Sequence, residues 1–421
     1  MFLGLNNQTG MEKDDKSEKD DVPIRVLHLI DRITGYGTTR LLWNIVRLTP
    51  SKEIKHFVIT FSPDNGKWLY ADRLRGEGVY RQVSKPLFLK LGRRPTVWFL
   101  TRYIWALWHV LQSLIWFRPH IIHVHTGYVL TIVLLLKVVL RRPVVHLVPS
   151  LFSQMIDQGK GWVPRFYARF HSLIDCFFSG VSSRDELLSI GVPGSKVLLV
   201  RGDIDFQEIS TVRHERQQHH KAVREILHLS PDALIALSVG RLDPSKGHIF
   251  SLEALPALVS QFPKLHWLVL GDGKLRSELE DRAKALGIFH HVHLLGHQDD
   301  PLPYYAAATV YLRTMIFEER NLSCFEAMAM GLPMVGFDTG CEADLINKVG
   351  HGILVPNQSA EALSAAVAQI LLLPDHGREM GSRGIEFSQA NFDIRLAIED
   401  ITTVYKNLKD GVDVKKDGIV L

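Results

Sequence analysis

The sequence predicts two α/β domains in series, each a parallel sheet flanked by helices. Three observations carry this. Short β-rich runs alternate with longer helical patterns along most of the chain, as parallel βαβ units require. The length, 421 residues, exceeds one ordinary domain. The charge is also split: residues 22–200 carry 24 basic and 9 acidic side chains, whereas residues 201–421 carry 22 and 30. With 46% hydrophobic and 22% charged residues the chain can bury ordinary cores, which excludes a disordered or fibrous protein. Cys176, Cys324 and Cys341 are too few and too scattered for a disulfide framework or a four-ligand zinc site, so a reducing compartment is expected.

Residues 1–21 are polar and mixed in charge, lack the apolar core of a signal peptide, and are expected to be a disordered tail. The first domain is placed at residues 22–205. Its strands are expected at Arg25–Ile30, Phe57–Phe61, Ile121–Val124, Val144–Val148, Cys176–Val181 and Val197–Val200, with a glycine loop at Gly35 and Gly37 after the first. The stretch from Lys90 to Arg118 interleaves Arg93, Arg94 and Arg102 with Trp98, Phe99, Tyr103, Trp105, Trp108, Trp116 and Phe117. Such a helix fits either an anionic membrane surface or a buried amphipathic position. No apolar run approaches the ~20 residues of a spanning helix.

A polar stretch rich in His and Gln marks an expected linker at 206–230. The second domain, 231–384, follows with strands at Leu234–Val239, Leu265–Leu270, Val292–Leu295, Val310–Leu312 and Met334–Phe337. Residues 385–410 and 411–421 are left as a final helix and a tail. Two facing sheets would bind a ligand beyond the carboxyl ends of their strands.

Chemistry is suggested at two places in the second half. Directly after a strand, Val239-Gly-Arg-Leu-Asp-Pro-Ser-Lys-Gly247 sets Arg241 and Lys246 five residues apart, a pairing suited to a diphosphate. Further on, Leu322 to Met330 reads as a short helix closed by Gly331 and Pro333. Its first amides, near Asn321, Leu322 and Ser323, would form an anion site. Glu326, one turn in, could accept hydrogen bonds from vicinal hydroxyls such as those of a ribose, and Glu318 could reach a neighbouring sugar. Equally, both carboxylates could merely complement the positive helix end.

These residues resemble the retaining family 4 glycosyltransferases of the GT-B fold. The resemblance rests on Glu318 and Glu326 with seven residues between them, EAMAMGLP, VGRLDPSKG, Leu270-Gly-Asp-Gly273, Tyr304-Tyr-Ala-Ala-Ala308 and Gly352-Ile-Leu-Val-Pro356. In the front half it rests on RVLHLIDRITGYGTTR, RPHIIHVHT and Ser182-Ser-Arg-Asp-Glu-Leu187. It spans about residues 24–410 and implies two Rossmann-like domains facing across a cleft, with the C-terminal helix crossing back to the first. It implies that Arg241 and Lys246 hold the donor diphosphate, that amides at Asn321, Leu322 and Ser323 grip phosphate, and that Glu326 binds the ribose. Glu318 would bind donor-sugar hydroxyls, His125 would lie near the reacting sugar, and Gly35 and Gly37 would line the site. The implied donor is a nucleoside diphosphate sugar, UDP- or GDP-linked, with no cofactor and no metal. The implied acceptor is a polysaccharide or glycolipid at the cytoplasmic membrane face.

Glu319 and Arg320 stand where the family commonly has Gly and an apolar residue, Thr39 replaces a common Glu, and Arg201 a common Asn. Two other roles therefore stay open: a soluble enzyme acting on a small molecule, or a nucleotide-sugar-binding assembly subunit. Asp203-Ile-Asp205 imitates a metal motif of another glycosyltransferase fold, but two carboxylates alone make a weak site. The pairs His219-His220 and His290-His291 lack companions at zinc-ligand spacing. Gly35-Tyr-Gly37 lacks the third glycine of a dinucleotide fingerprint, and no nucleic-acid module is recognisable.

Overall fold

The computed structural model describes residues 22–31, 33, 37–61, 69–77, 79–82, 95–148, 161–200, 202, 204–316 and 322–412. The first sheet contains β1 (Ile24–Ile30), β2 (Ile54–Thr60), β3 (Tyr80–Gln82), β4 (Ile121–Val124), β5 (Val144–Leu147), β6 (Cys176–Ser179) and β7 (Val197–Leu199), in the order β3-β2-β1-β4-β5-β6-β7. The second contains β8 (Leu234–Val239), β9 (Leu265–Leu270), β10 (Val292–Gly296), β11 (Val310–Arg313), β12 (Met334–Phe337) and β13 (Gly352–Val355), in the order β10-β9-β8-β11-β12-β13. Every pairing between these strands is parallel. In each sheet the strand order reverses beside the first strand, which creates a crevice at the carboxyl ends of β1 and β4 and another at those of β8 and β11. β3 was not expected, because a three-residue Tyr-Arg-Gln edge strand has no hydrophobic pattern to announce it.

Residues 206–230, expected as a linker, are instead mostly helical. Helices Phe206–His214 and Arg216–Ile226 bury Phe206, Ile209 and Val223 in the core beneath the second sheet, so their sparse apolar residues are enough to dock them. Asp205, half of the metal-like Asp-X-Asp, caps the first of these helices by accepting from the amides of Gln207 and Glu208, at 3.1 and 3.2 Å. Its carboxylate also meets Arg47 and Arg395. Burial pushes the Asp205 carboxyl up, but the hydrogen bonds and charges of these partners bring it below the usual value. Asp203 and Arg201 lie outside the described residues.

The chain crosses back where β7 leaves the first sheet. Ile204 and Asp393 form a parallel bridge, with Ile394 N–H donating to the Ile204 carbonyl at 2.9 Å. Helix Arg378–Phe392 ends there, and helix Ile394–Lys409 begins under an Asp393 side-chain cap. This last helix buries Ile394, Ala397, Ile398, Ile401, Val404 and Tyr405 against the first sheet, as the resemblance implied.

Helix Pro95–Trp116 has one buried side and one exposed apolar side. Ala106, Val110 and Ser113 are buried against the first core, whereas Ile104, Trp108, Ile115 and Trp116 are 58 to 75% exposed. Among the described residues no helix is long and apolar enough to cross a membrane.

Gly271 shows how tightly the loops after β8 and β9 approach. Its φ is +141°, and a Cβ there would lie 1.9 Å from the Gly240 carbonyl oxygen. Gly287, also at positive φ, has open space where a Cβ would sit. Gly271→Ala should therefore lower unfolding free energy by about 3 kcal/mol and Gly287→Ala by about 1. Urea denaturation of both variants checks this; equal losses would contradict the close-approach account.

Candidate active site

The second-domain half of the site is built at the carboxyl ends of β8 and β11. After β8, Gly240 and Arg241 lead into a short helical turn, Pro244–Lys246, capped by Asp243. Arg241 is half exposed and pairs with Asp243 at 3.0 Å. Lys246 sits with its ammonium 4.0 Å from Met315 Sδ. Gly247 follows at φ +61°, where a Cβ would collide with the Thr314 carbonyl oxygen, so the loop must carry glycine to pass β11 this closely. Both cations expected to hold a diphosphate thus lie on one loop at the mouth of the sheet.

Helix Leu322–Met330 begins beside this loop. The Ser323 hydroxyl donates to the Val239 carbonyl at 3.0 Å and meets the Tyr311 hydroxyl at 2.8 Å, which fixes the helix N-terminus against the ends of β8 and β11. One turn on, Glu326 is 4% exposed. Tyr305 donates to its Oε2 at 3.0 Å, and burial together with this carboxylate keeps the Tyr305 phenol well above its ordinary pKa and therefore protonated. The other oxygen of Glu326 accepts from Arg40, in the first turn of helix Gly37–Leu48 of the first domain. The expected ribose ligand is therefore held from both sides of the cleft.

Neither Arg40 nor Tyr305 stands out in the sequence as a site residue. Arg40 directly follows the glycine loop, and Tyr305 belongs to a motif to which spacing alone assigns no role. Their pairing with Glu326 depends on domain juxtaposition, which no spacing in the chain reports. Gly37, expected in the loop, is the first residue of helix Gly37–Leu48. Gly35, Glu318, Glu319, Arg320 and Asn321 lie outside the described residues.

In the first domain, His125 lies at the end of β4 and is fully buried. It is not alone. His28 of β1, His56 of β2, His123 of β4 and His146 of β5 are also 0 to 8% exposed. Ring nitrogens of His28, His123 and His125 come within 4.8 Å of one another, a grouping that the search for histidines paired along the sequence does not reveal. A common metal ion is poorly served here. His123 and His125 stack with centroids 4.0 Å apart, so their in-plane lone pairs run side by side, and His28 Nδ1 and His125 Nε2 already bond each other at 3.0 Å. Burial is the largest influence on all five rings and lowers each below the ordinary imidazole value.

The two facing parallel sheets and the returning C-terminal helix define the GT-B class. A structure of Anabaena HepE in complex with UDP and glucose superposes with a TM-score of 0.73 at 17% identity, covering 91% of this chain and 99% of that one. Residues 220–387 match the family model of glycosyl transferases group 1, and residues 36–200 match that of the glycosyl transferase 4-like domain. The chain belongs to this glycosyltransferase family. An uncharacterized glycosyltransferase of Methanocaldococcus jannaschii is 19% identical over 325 residues, 73% of this chain and 74% of its own length. The lipopolysaccharide core biosynthesis glycosyltransferase LpsE of Rhizobium meliloti is 29% identical over 177 residues, 42% of this chain and half of its own.

The buried imidazoles make stability depend on pH. Around the ordinary value of 6.5 the unfolded chain begins to take up protons, whereas folded His56 and His146 resist protonation until about pH 4. Stability should be constant above pH ~7 and fall progressively from there to pH ~4. Urea midpoints measured across this range check the sign; a midpoint that rises on acidification would contradict it.

Proposed function

We propose that the protein transfers a sugar from a nucleoside diphosphate sugar, UDP- or GDP-linked, to a polysaccharide or glycolipid acceptor, with retention of anomeric configuration and without a metal ion. The observation that carries this reading is the convergence of Arg241, Lys246, the Ser323 helix terminus and Glu326 at one sheet edge. As the glycosidic bond to the leaving group breaks, the sugar becomes oxocarbenium-like and negative charge gathers on the β-phosphate. A guanidinium, an ammonium and aligned helix amides fixed beforehand favour that charge more than they favour the ground state. In this reading they replace the divalent cation that other enzymes use.

Glu326 would accept the ribose hydroxyls. Its partners suit it to that role, since Tyr305 donates to one oxygen and Arg40 to the other, so the carboxylate stays oriented and each oxygen keeps a lone pair for a hydroxyl. Glu318 would accept from the donor sugar, and His125 would face the reacting sugar. The UDP in the HepE structure supports a nucleotide-sugar donor.

The first domain would present the acceptor. Ile104, Trp108, Ile115 and Trp116 form an exposed apolar band on a domain with a large excess of basic residues. Aromatic side chains beside basic charge suit the headgroup region of an anionic bilayer, where a lipid-linked acceptor is found. This supports a peripheral position on the inner face of the plasma membrane.

Thermal shift against UDP, GDP, ADP, dTDP and their sugars tests the donor site. A nucleotide at 100 times its dissociation constant should add about 2.7 kcal/mol of stability. Both Glu326→Ala and Arg241→Ala should abolish the shift, and no shift with any nucleotide would sink the assignment. Membrane binding is read separately by co-sedimentation with phosphatidylglycerol vesicles. Replacing Trp108 and Trp116 by Ser should release the protein while leaving nucleotide binding intact; unchanged sedimentation would remove the membrane from the proposal.

A further inference from the structure

A cavity of about 490 Å³ lies in the second domain, on the opposite edge of the sheet from the donor site. Ala233 and Leu234 at the start of β8, Thr309 before β11 and Pro333 before β12 border it, which places it at the amino edge. Arg241, Lys246 and Ser323 stand at the carboxyl edge. β8 runs for six residues between the two edges, which at about 3.3 Å per residue sets them on the order of 20 Å apart.

Arg216, Arg224 and Arg378 all line this cavity, in a half of the chain where acidic side chains outnumber basic ones. Among the described residues none of the three forms a salt bridge. The two carboxylates that line it are engaged elsewhere: Asp232 pairs with Lys264, and Asp375 accepts from the amides of Gly377 and Glu379, both at 3.0 Å. Their charges reach Arg224 and Arg378 without direct contact. The cations also act on one another. Burial first, then Arg378 and Arg213, lower the Arg216 guanidinium; burial first, then Arg224 and Arg216, lower the His220 imidazole at the cavity wall to about 4.

Part of this arrangement holds the fold together. Arg216 donates to the carbonyls of Ala306 and Ala308 at 3.0 and 3.1 Å, and Arg224 to those of His220, Ala307 and Ala233, so both satisfy the end of helix Leu302–Ala307. That accounts for their positions but not for their full donor capacity. A guanidinium has five N–H groups, of which Arg216 commits two and Arg224 three. Arg224 is 3% exposed, and its Nε is buried without a hydrogen-bond partner among the described residues. A buried N–H without an acceptor is rare and calls for an oxygen. Arg378, exposed in the first turn of helix Arg378–Phe392, holds none of these carbonyls, so helix closure does not explain its place at the cavity.

We propose that this cavity is a second anion site, which takes a small phosphate-bearing molecule with its phosphoryl oxygens between Arg216, Arg224 and Arg378. Guanidinium forks match the geometry of such oxygens. The volume falls within the range of small-molecule pockets, about 300 to 1,000 Å³, and leaves room for the organic part of the ligand. Nothing in this site depends on the transfer reaction proposed above.

The experiment is calorimetric titration of inorganic phosphate, at ionic strength held constant with chloride, into the full-length protein carrying Arg241→Ala and Lys246→Ala. These substitutions remove the donor-site cations, so the remaining binding reports the second cavity. Phosphate should still bind, and adding Arg378→Gln should raise its Kd about tenfold, as the loss of one charged hydrogen-bond donor gives. Arg383→Gln removes the same charge from the same helix outside the cavity and should leave the Kd unchanged. An absence of phosphate binding, a Kd that Arg378→Gln leaves unchanged, or equal losses in the two variants would overturn the proposal. In otherwise wild-type protein, Arg378→Gln should leave the nucleotide thermal shift intact; loss of that shift would merge the two sites and overturn it as well. Phosphate binding at the cavity with no shift from any nucleotide would overturn the donor assignment and leave the second site standing.

Discussion

The relation of the two domains depends on one short stretch of backbone pairing, between Ile204 and Asp393. The chain leaves the first sheet at this point and returns at the same point. Gly202 makes it possible, because a Cβ at its φ of +102° would lie 2.4 Å from the Asp393 carbonyl oxygen. Asp205 then binds Arg47 of the first domain and Arg395 of the returning helix while capping the first helix of the second. With both crossings fixed together, the carboxyl edges of the two sheets face each other, and Arg40 meets Glu326 across the gap.

The same arrangement divides labour in the site. The second domain supplies fixed positive charge from a loop and a helix terminus, and these need only short-range order: a glycine at Gly247 and a serine hydroxyl at Ser323 hold them in place. The first domain supplies buried neutral imidazoles, which depend on strand register across β2, β1 and β4. One half gathers positive charge and the other avoids charge.

Much of this was legible in the sequence. Strands β4, β8, β9 and β12 stand at their expected bounds because each is a mostly apolar run, with at most one polar residue, flanked by turn residues, the pattern of a strand buried on both faces. The Arg241, Lys246, Ser323 and Glu326 cluster was legible because its members lie close to strand and helix ends that the pattern locates. The parts that escaped are those that depend on packing over long separations. Arg40 and Glu326 are 286 residues apart, and His28 and His125 are 97 apart. A histidine within an apolar run such as RVLHLI carries no local mark of what it faces. The helices at 206–226 escaped for the opposite reason, since only a few apolar residues anchor them and their surface is strongly polar.

The double crossing also bears on how the protein is made. The second domain is an uninterrupted segment, whereas the first is completed only by Ile394–Lys409, whose apolar side covers Ile24, Val26, Ile121 and Phe178. On a ribosome those strands emerge well before the helix that covers them, and that face of the sheet keeps only the partial cover of Leu41 and Ile45 until residues 394–409 are made. The later segment holds all its own strands and can fold before the earlier one is finished. Synthesis from the amino terminus thus completes the second domain before the first, and a chain truncated before residue 394 would keep that domain beside a partly uncovered sheet prone to aggregation.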